Sequence, residues 1–93
     1  MTPEEMEMQV EFLDLVPRRE RAGHAALLAI KGFGIETFTR NHVSFAVHRM
    51  LPERDLKQLK ESVRFKMIRM EQDGIIEKIG AKRFGQELYR SVK

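Results

Sequence analysis

The first seventeen residues place apolar side chains at helical spacing. Met6, Val10 and Leu13 follow one another at intervals of four and three residues, and this spacing puts them on one face of a helix. Thr2 is suited to cap the start of such a helix, and Pro17 ends it. The pattern therefore predicts an amphipathic N-terminal helix. Its apolar face either packs on the rest of the chain or pairs with a second copy of it.

Two further helices are predicted before the middle of the chain. An alanine-rich run predicts one over residues 18–31, because alanine has the highest helix propensity. Gly32 and Gly34 are expected to end it, as glycine often does just beyond a helix C-terminus. Thr39 is expected to cap the next helix, over residues 40–50.

The longest periodic stretch covers residues 53–73 and follows the helix-breaking Pro52. Its apolar residues are three or four positions apart and fall in one narrow sector of a helix. Gly74 is expected to end this helix. The apolar stripe is predicted to face the core and consists of Leu56, Leu59, Val63, Met67 and Met70.

Three other stretches have the composition of β-strands: one between the second and third predicted helices and two after the last helix. Residues 35–39 are rich in strand formers and predict a brief strand. Residues 75–79 and 86–92 predict two strands that are joined by a glycine-bounded turn over residues 80–85. The predicted fold class is therefore mainly α with a small β-hairpin.

Charge divides the chain into two parts. Residues 1–17 carry five acidic side chains and no Lys or Arg, whereas residues 18–93 carry 17 Lys and Arg against nine acids. The 93-residue length leaves room for one domain. The predicted organisation is thus an acidic amphipathic helix over residues 1–17 before a domain over residues 18–93. The basic charge of that domain is either an ordinary solvated surface or a face that meets a polyanion.

Several chemistries lack the residues that they need. The chain has no cysteine, which excludes disulfide scaffolds and Cys-based metal sites. His42 and His48 are six positions apart and do not share a helix face as paired metal ligands would. There is no phosphate-binding glycine loop and no nucleophile motif. We therefore expect no catalytic residues, no metal, no cofactor and no small-molecule substrate.

Membrane insertion is not predicted either. No apolar run approaches the roughly 20 residues that are needed to span a bilayer. The acidic start MTPEEMEMQ lacks the basic and apolar regions of a secretory signal. We expect a cytoplasmic protein.

The stretch from Ser62 to Ile76 carries a distinctive order of residue classes. It reads SVRFKMIRMEQDGII: a small polar residue, an apolar residue and an arginine, then apolar residues at helical spacing, then Glu, Gly and two apolar residues. With this stretch and the order of elements, residues 18–92 resemble a winged helix-turn-helix domain. The resemblance implies that the helix over residues 53–73 enters the major groove of double-stranded DNA and that the 75–92 hairpin is a wing.

DNA contacts are predicted on the exposed side of that helix. Arg and Lys reach guanine edges or phosphates in the major groove, and Ser can donate to a phosphate. Phe65 is expected either to meet a thymine methyl group or to pack against the N-terminal helix. The predicted contact residues of the helix are Lys57, Lys60, Ser62, Arg64, Phe65, Lys66 and Arg69.

Two further pairs of residues are predicted to contact the DNA backbone. Lys82 and Arg83 lie between two glycines at the predicted tip of the wing and can reach phosphate or the minor groove. For them the alternative is a plain hairpin turn. Arg40 and Asn41 begin the helix over residues 40–50 and can bring donors to a phosphate.

The leading hypothesis is a small sequence-specific DNA-binding protein, a transcriptional regulator that forms a homodimer through its N-terminal helix. Two-fold symmetry would match a palindromic site. One alternative is a winged helix that is used for protein–protein contact. Another is an accessory protein of replication or recombination, whose contacts with DNA would be the same.

Overall fold

The structure, a computed structural model, describes residues 13–92. Of the N-terminal helix predicted over residues 1–17, residues 1–12 lie outside the described part, and Leu13–Leu15 form a 3-10 turn in place of an α-helix. The described part is mainly helical and ends in a two-stranded antiparallel hairpin, which confirms the predicted fold class at that level. In chain order its elements are a 3-10 turn (Leu13–Leu15), helices α1 (Arg18–Phe33), α2 (Arg40–Met50) and α3 (Leu56–Gln72), and strands β1 (Ile76–Arg83) and β2 (Gln86–Ser91).

The first two helices begin where the sequence predicts, but α1 ends later. Gly32 stays helical, and only Gly34 has a left-handed φ, of 61°, while its N–H donates to the Lys31 carbonyl at 3.2 Å. Glycine adopts that conformation without a steric cost. The predicted cap of α2 is confirmed: Thr39 Oγ1 accepts from the His42 N–H at 3.2 Å, and His42 Nδ1 accepts from the Thr39 N–H at 3.1 Å.

Helix α3 starts at Leu56, so the start predicted at residue 53 is wrong. Residues 51–54 form a turn in which the Arg54 N–H donates to the Leu51 carbonyl at 3.1 Å. Asp55 then caps the helix, because its Oδ1 accepts from the Lys57 N–H at 3.2 Å. The predicted stripe faces the core: Leu56 is half-buried, and Leu59, Val63, Met67 and Met70 are buried.

The strand predicted over residues 35–39 is reduced to one antiparallel bridge between Phe38 and Tyr89. The two residues exchange N–H···O bonds of 3.0 and 2.8 Å. The residues before Phe38 do not join because the chain is still turning out of α1, where the Glu36 N–H donates to the Phe33 carbonyl at 3.1 Å. The bridge ties β2 to the segment between α1 and α2.

The hairpin differs from the prediction in the length of its first strand and in its turn. β1 continues through Gly80, which has a φ of 75° and lies where the register shifts between Lys78 and Lys82. The turn consists of Phe84 and Gly85 alone, with φ of 51° and 77°. A two-residue hairpin connection requires positive φ at both positions when its twist matches that of the strands. The longer predicted turn is wrong because Gly80 marks a bulge within the strand.

The core lies between the three helices and the base of the hairpin. Phe38 is fully buried at its centre, and its ring stacks on Phe33 and Tyr89 at centroid distances of 5.2 and 6.2 Å. Leu13, before α1, is 2% exposed and belongs to the same core. The small buried residues of α1 leave room for close helix packing and are Ala22, Ala25, Ala26 and Ala29. This packing decides which side of α3 faces solvent.

Candidate functional site

Five basic side chains project from the part of α3 that the core does not cover. We call them the α3 basic surface, and they are Lys57, Lys60, Arg64, Lys66 and Arg69. The buried stripe occupies one side of the helix, so the other positions point to solvent or to neighbouring helices. Lys57, Arg64 and Arg69 are exposed, and the other two are half-buried. Glu61 is the only acid between residues 57 and 69, which leaves the surface strongly positive.

The side of α3 next to α2 alternates basic and aromatic groups. Lys60 Nζ lies 5.5 Å from the centre of the Phe45 ring, and the Arg64 guanidinium lies 5.0 Å from the centre of the Phe65 ring. Lys60 and Arg64 are one helical turn apart, so the two cation–aromatic pairs adjoin. Both rings remain accessible, Phe45 at 46% and Phe65 at 60% exposure. Contact of Phe65 with residues 1–12 falls outside the part of the chain that the structure describes.

The opposite side of α3 borders an open groove beside α1. From α3 this groove is lined by Ser62, Phe65 and Lys66. From α1 it is lined by Arg19, Glu20, Gly23 and His24. Gly23 has no side chain, and a Cβ there would lie 3.5 Å from Lys66 Cδ. Lys66 therefore crosses closely over α1. The seven contact residues predicted on α3 are thus divided between two sides of the helix, and Phe65 joins the sides because it lines the groove and also meets Arg64.

Local ion pairs distinguish the basic residues of α3 from one another. Arg69 Nε lies 3.4 Å from the Asp73 carboxylate, and Arg64 Nε lies 3.8 Å from that of Glu61. All four side chains are largely exposed, so each pair is weak, although it offsets part of the positive charge. Within residues 13–92, the lysines of the surface form no ion pair. The lysines therefore carry most of its free charge.

The start of α2 connects the hairpin to this surface. The Asn41 N–H donates to Gln86 Oε1, at the start of β2, at 3.3 Å. Asn41 and Phe45 are four residues apart and share a face of α2, and Phe45 in turn meets Lys60. The surface is thus continuous from the hairpin across α2 to α3. Because the Asn41 N–H is bonded to Gln86, it is no longer one of the backbone phosphate donors predicted there.

Lys82 and Arg83 end β1 and do not form the tip of the hairpin. The predicted location was wrong because the turn is shorter than the glycine spacing indicates. Lys82 lies opposite Glu87, and the Arg83 guanidinium lies 5.3 Å from the centre of the Phe84 ring. Phe84 itself forms the tip with 86% of its surface exposed.

Two residues of the site, Phe84 and Phe45, were missed by reasoning from sequence. Phe84 follows Lys82 and Arg83 directly, and a two-residue loop between residues 83 and 86 would have placed it at the tip. Phe45 is outside the apolar stripe of its helix, and an aromatic residue in that position is a signal for an accessible ring. Both are exposed apolar groups beside basic ones.

The described part of the chain has neither a cluster of metal ligands nor a membrane-spanning helix. Between residues 13 and 92, no three His, Asp or Glu side chains come close enough together to hold a metal ion. None of the helices in that range is long and apolar enough to cross a membrane.

The chemical character of the site is inferred from three features of its surface. The residues combine a positive helix surface, accessible aromatic rings and a basic hairpin that lies next to the start of α2. This combination suits an anionic partner with flat apolar groups. No family model matches the sequence, and neither a curated protein nor a solved structure gives a match.

Proposed function

We propose that this chain is a winged helix DNA-binding protein that inserts α3 into the major groove and uses the hairpin as a wing. The observation that carries the proposal is the α3 basic surface, whose five basic residues have a single acid among them. An isolated α-helix of this width fits the major groove of B-DNA. The order of three helices and a hairpin, with the bridge from Phe38 to Tyr89, supports the same proposal.

Exposure and local contacts suggest a division of roles on α3. Lys57 and Arg64 are exposed and are proposed to reach guanine edges or phosphates. Lys60, which is half-buried beside Phe45, is proposed to hold a phosphate. Phe65 is proposed to meet a thymine methyl group next to Arg64.

The residues on the other side of α3 are proposed to face the opposite sugar–phosphate backbone. Ser62 can donate its hydroxyl to a phosphate, and Lys66 can neutralise one from the groove beside α1. Arg69 is proposed to contribute least, because Asp73 lies 3.4 Å from it. In this docking, lysines on both flanks of α3 would contact the two sugar–phosphate backbones that border the major groove.

The flanks of α3 supply further backbone contacts in this proposal. The side chains of Arg40 and Asn41 lie at the start of α2, next to the hairpin, and are proposed to bind one phosphate. Lys82 and Arg83 are proposed to bind the backbone where the wing crosses it. The wing and the start of α2 would then act on neighbouring phosphates, because Gln86 holds them together.

The proposed phosphate contacts predict how steeply the DNA affinity falls with salt concentration. If five Lys and Arg side chains each neutralise one phosphate, the slope of log K against log salt is roughly −4.5. The affinity should then fall about 500-fold between about 50 and 200 mM salt. If the basic surface is only solvated and DNA is not its partner, no such salt-dependent affinity for DNA will be measured.

The first experiment is selection of bound sequences from random duplex DNA at those two salt concentrations. We expect salt-sensitive enrichment of one motif, and a palindrome would support the proposed homodimer and the role of transcriptional regulator. Salt-sensitive binding without enrichment would favour the accessory role in replication or recombination. Absence of binding at the lower concentration would contradict the proposal in all its forms.

Variants then test the docking on the selected site. Arg64→Ala should relax specificity at one base pair by about 1–3 kcal/mol. Lys82→Ala combined with Arg83→Ala should weaken binding to all sequences and reduce the salt slope by roughly 1.8. Lys31→Ala is the matched control, because Lys31 is an exposed base at the other end of α1 from the groove. If neither variant differs from this control, the proposed docking is wrong.

A second candidate function, contact with a protein partner, is favoured by the apolar groups of the same region. Phe45, Phe65 and Ile68 are 46%, 60% and 43% exposed, and accessible rings beside arginine are common in protein interfaces. Phe65→Ala separates the two functions. It should reduce DNA affinity only modestly in the first case, whereas it should abolish partner capture in the second.

A further inference from the structure

The tip of the hairpin exposes an aromatic ring in an unfavourable backbone conformation. Phe84 is 86% exposed and has a φ of 51°. It is the one non-glycine residue with positive φ in the described part of the chain. Two-residue hairpin turns of this kind favour Asn or Asp before Gly, because a bulky side chain is strained in the left-handed region. Neither stability nor solubility explains a phenylalanine there.

A basic group, that of Arg83, adjoins this ring, and the acid next to the tip is Glu87, opposite Lys82. Residues 80–85 are all exposed, and they contain Lys82 and Arg83 but no Asp or Glu. The Arg83 guanidinium lies 5.3 Å from the centre of the Phe84 ring. An aromatic side chain beside basic ones suits a polyanion that also offers flat apolar surfaces. Duplex DNA has both features, in its phosphates and in the faces of its base pairs.

The turn of the hairpin projects Phe84 beyond the last contact of the hairpin with α2. The hairpin is tied to the body at Tyr89, through the bridge to Phe38, and at Gln86, whose Oε1 accepts from the Asn41 N–H of α2. Four residues separate Tyr89 from Phe84, and the three extended steps from Tyr89 back to Gln86 span roughly 10 Å at about 3.3 Å per residue. Half a turn of B-DNA, the offset from major to minor groove, is about 17 Å. The turn and the exposed Phe84 side chain extend beyond Gln86, so a body docked by α3 in the major groove can direct the tip toward the adjacent minor groove.

We propose that Phe84 is a wedge that inserts between base pairs from the minor groove and kinks the duplex. The proposal rests on the proposed DNA binding and adds a mode of recognition by deformability. Apolar side chains that enter a base step from the minor groove unstack it and bend the DNA by about 20–90°. Arg83 and Lys82 then bind the phosphates on either side of the opened step. Sites with a flexible pyrimidine–purine step under the wing are expected to be preferred, although the protein makes no hydrogen bond to that step.

Phe84→Asn tests the wedge without endangering the fold. Asparagine is favoured at the first position of this turn, so the variant hairpin should be at least as stable as the parent. Bending is measured by energy transfer between dyes at the two ends of a duplex that carries the selected site. Parent protein should bring the ends closer, whereas Phe84→Asn should bind within about tenfold of the parent affinity and leave the duplex straight, because the phosphate contacts remain.

Phe84→Trp adds a direct reporter, because the chain contains no tryptophan. Stacking of the indole between bases should quench its fluorescence, and 2-aminopurine placed at the step under the wing should brighten as it unstacks. The same variant is titrated with vesicles of anionic lipid, since an aromatic tip beside basic residues also suits a membrane surface. A blue shift with vesicles and no quenching with DNA would overturn the wedge in favour of lipid contact.

The outcomes separate this inference from the function on which it rests. If the parent and Phe84→Asn bend the duplex equally, the wedge is refuted and DNA binding stands. If the parent binds with the expected salt dependence but does not bend the duplex, the wedge is likewise refuted. If the parent does not bind duplex DNA at low salt, both proposals fail. Bending and quenching that depend on an aromatic residue at position 84 are the expected result.

Discussion

Removal of the charge on Glu61 should tighten DNA binding. Glu61 is the only acid between residues 57 and 69, it is exposed, and its carboxylate lies 3.8 Å from Arg64 Nε. In the proposed complex this carboxylate faces phosphates and also offsets part of the Arg64 charge. Glu61→Gln removes both effects and keeps the length of the side chain.

The magnitude follows from the exposure of the site. Two unit charges about 7 Å apart in a water-like medium interact by about 0.6 kcal/mol, and salt reduces that value. With one or two phosphates within a Debye length, the gain is about 0.5–1 kcal/mol, or roughly a two- to fivefold lower Kd at about 50 mM salt. Loss of the exposed pair with Arg64 should change the free energy of unfolding by only about 0.5 kcal/mol or less.

The assay is fluorescence anisotropy with a labelled duplex at about 50 and 200 mM salt, where the gain should shrink at the higher concentration. The control is Asp14→Asn, which removes one exposed negative charge from the 3-10 turn before α1. Both variants change the net charge equally, so only position distinguishes them. An unchanged Kd for Glu61→Gln, or an equal gain for Asp14→Asn, would refute the placement of α3 against DNA.

Three predictions concern the stability of the scaffold, each measured by urea denaturation. Thr39→Ala should lower the free energy of unfolding by about 1 kcal/mol, because the cap of α2 is lost, and Thr39→Ser should restore most of it. Gly34→Ala should cost about 1–2 kcal/mol, because Gly34 has a φ of 61°. Gly32→Ala should instead stabilise by roughly 0.5–1 kcal/mol, because Gly32 is helical and a Cβ there meets nothing within 4 Å. Equal effects at the two glycines would contradict the assignment of the helix end. Leu59→Ala should cost about 2–5 kcal/mol, because Leu59 is fully buried, and a smaller loss would mean that the α3 stripe is not in the core.

The helices were predictable wherever a local signal was unambiguous. The stripe of α3 follows from the 3.6-residue period, and the start of α2 follows from Thr39, whose side chain makes the expected bond to the His42 N–H. The start of α3 was missed because the sequence allows two helix starts, one directly after Pro52 and one directly after Asp55. Pro52 suits a turn as well as a helix start, and only the bond from Asp55 to the Lys57 N–H decides between them.

The turn of the hairpin and the contacts of the site could not be predicted in full, because no local sequence pattern determines them. Gly80 has the same positive φ as a turn glycine although it lies inside β1, so spacing alone could not separate a bulge from a loop. The exposed positions of α3 were predictable from its stripe. Their division between two flanks also follows from the helical period. The neighbours that each flank meets do not, because they depend on how closely Lys66 crosses Gly23 and how Lys60 meets Phe45. These contacts join residues that are distant in the sequence.

The bridge between Phe38 and Tyr89 has a consequence for the order of folding. Its partners are separated by both α2 and α3, and its formation closes a loop of about 50 residues, an entropic cost that neighbouring contacts do not incur. The helices α1 to α3 can pack on one another without the hairpin, whereas the second side of the Phe38 ring stays uncovered until Tyr89 stacks on it. We therefore expect the helical part to associate first and the hairpin to lock it late. A chain that stalls before residue 89 would leave the stack of Phe33 and Phe38 open to chaperones or to aggregation.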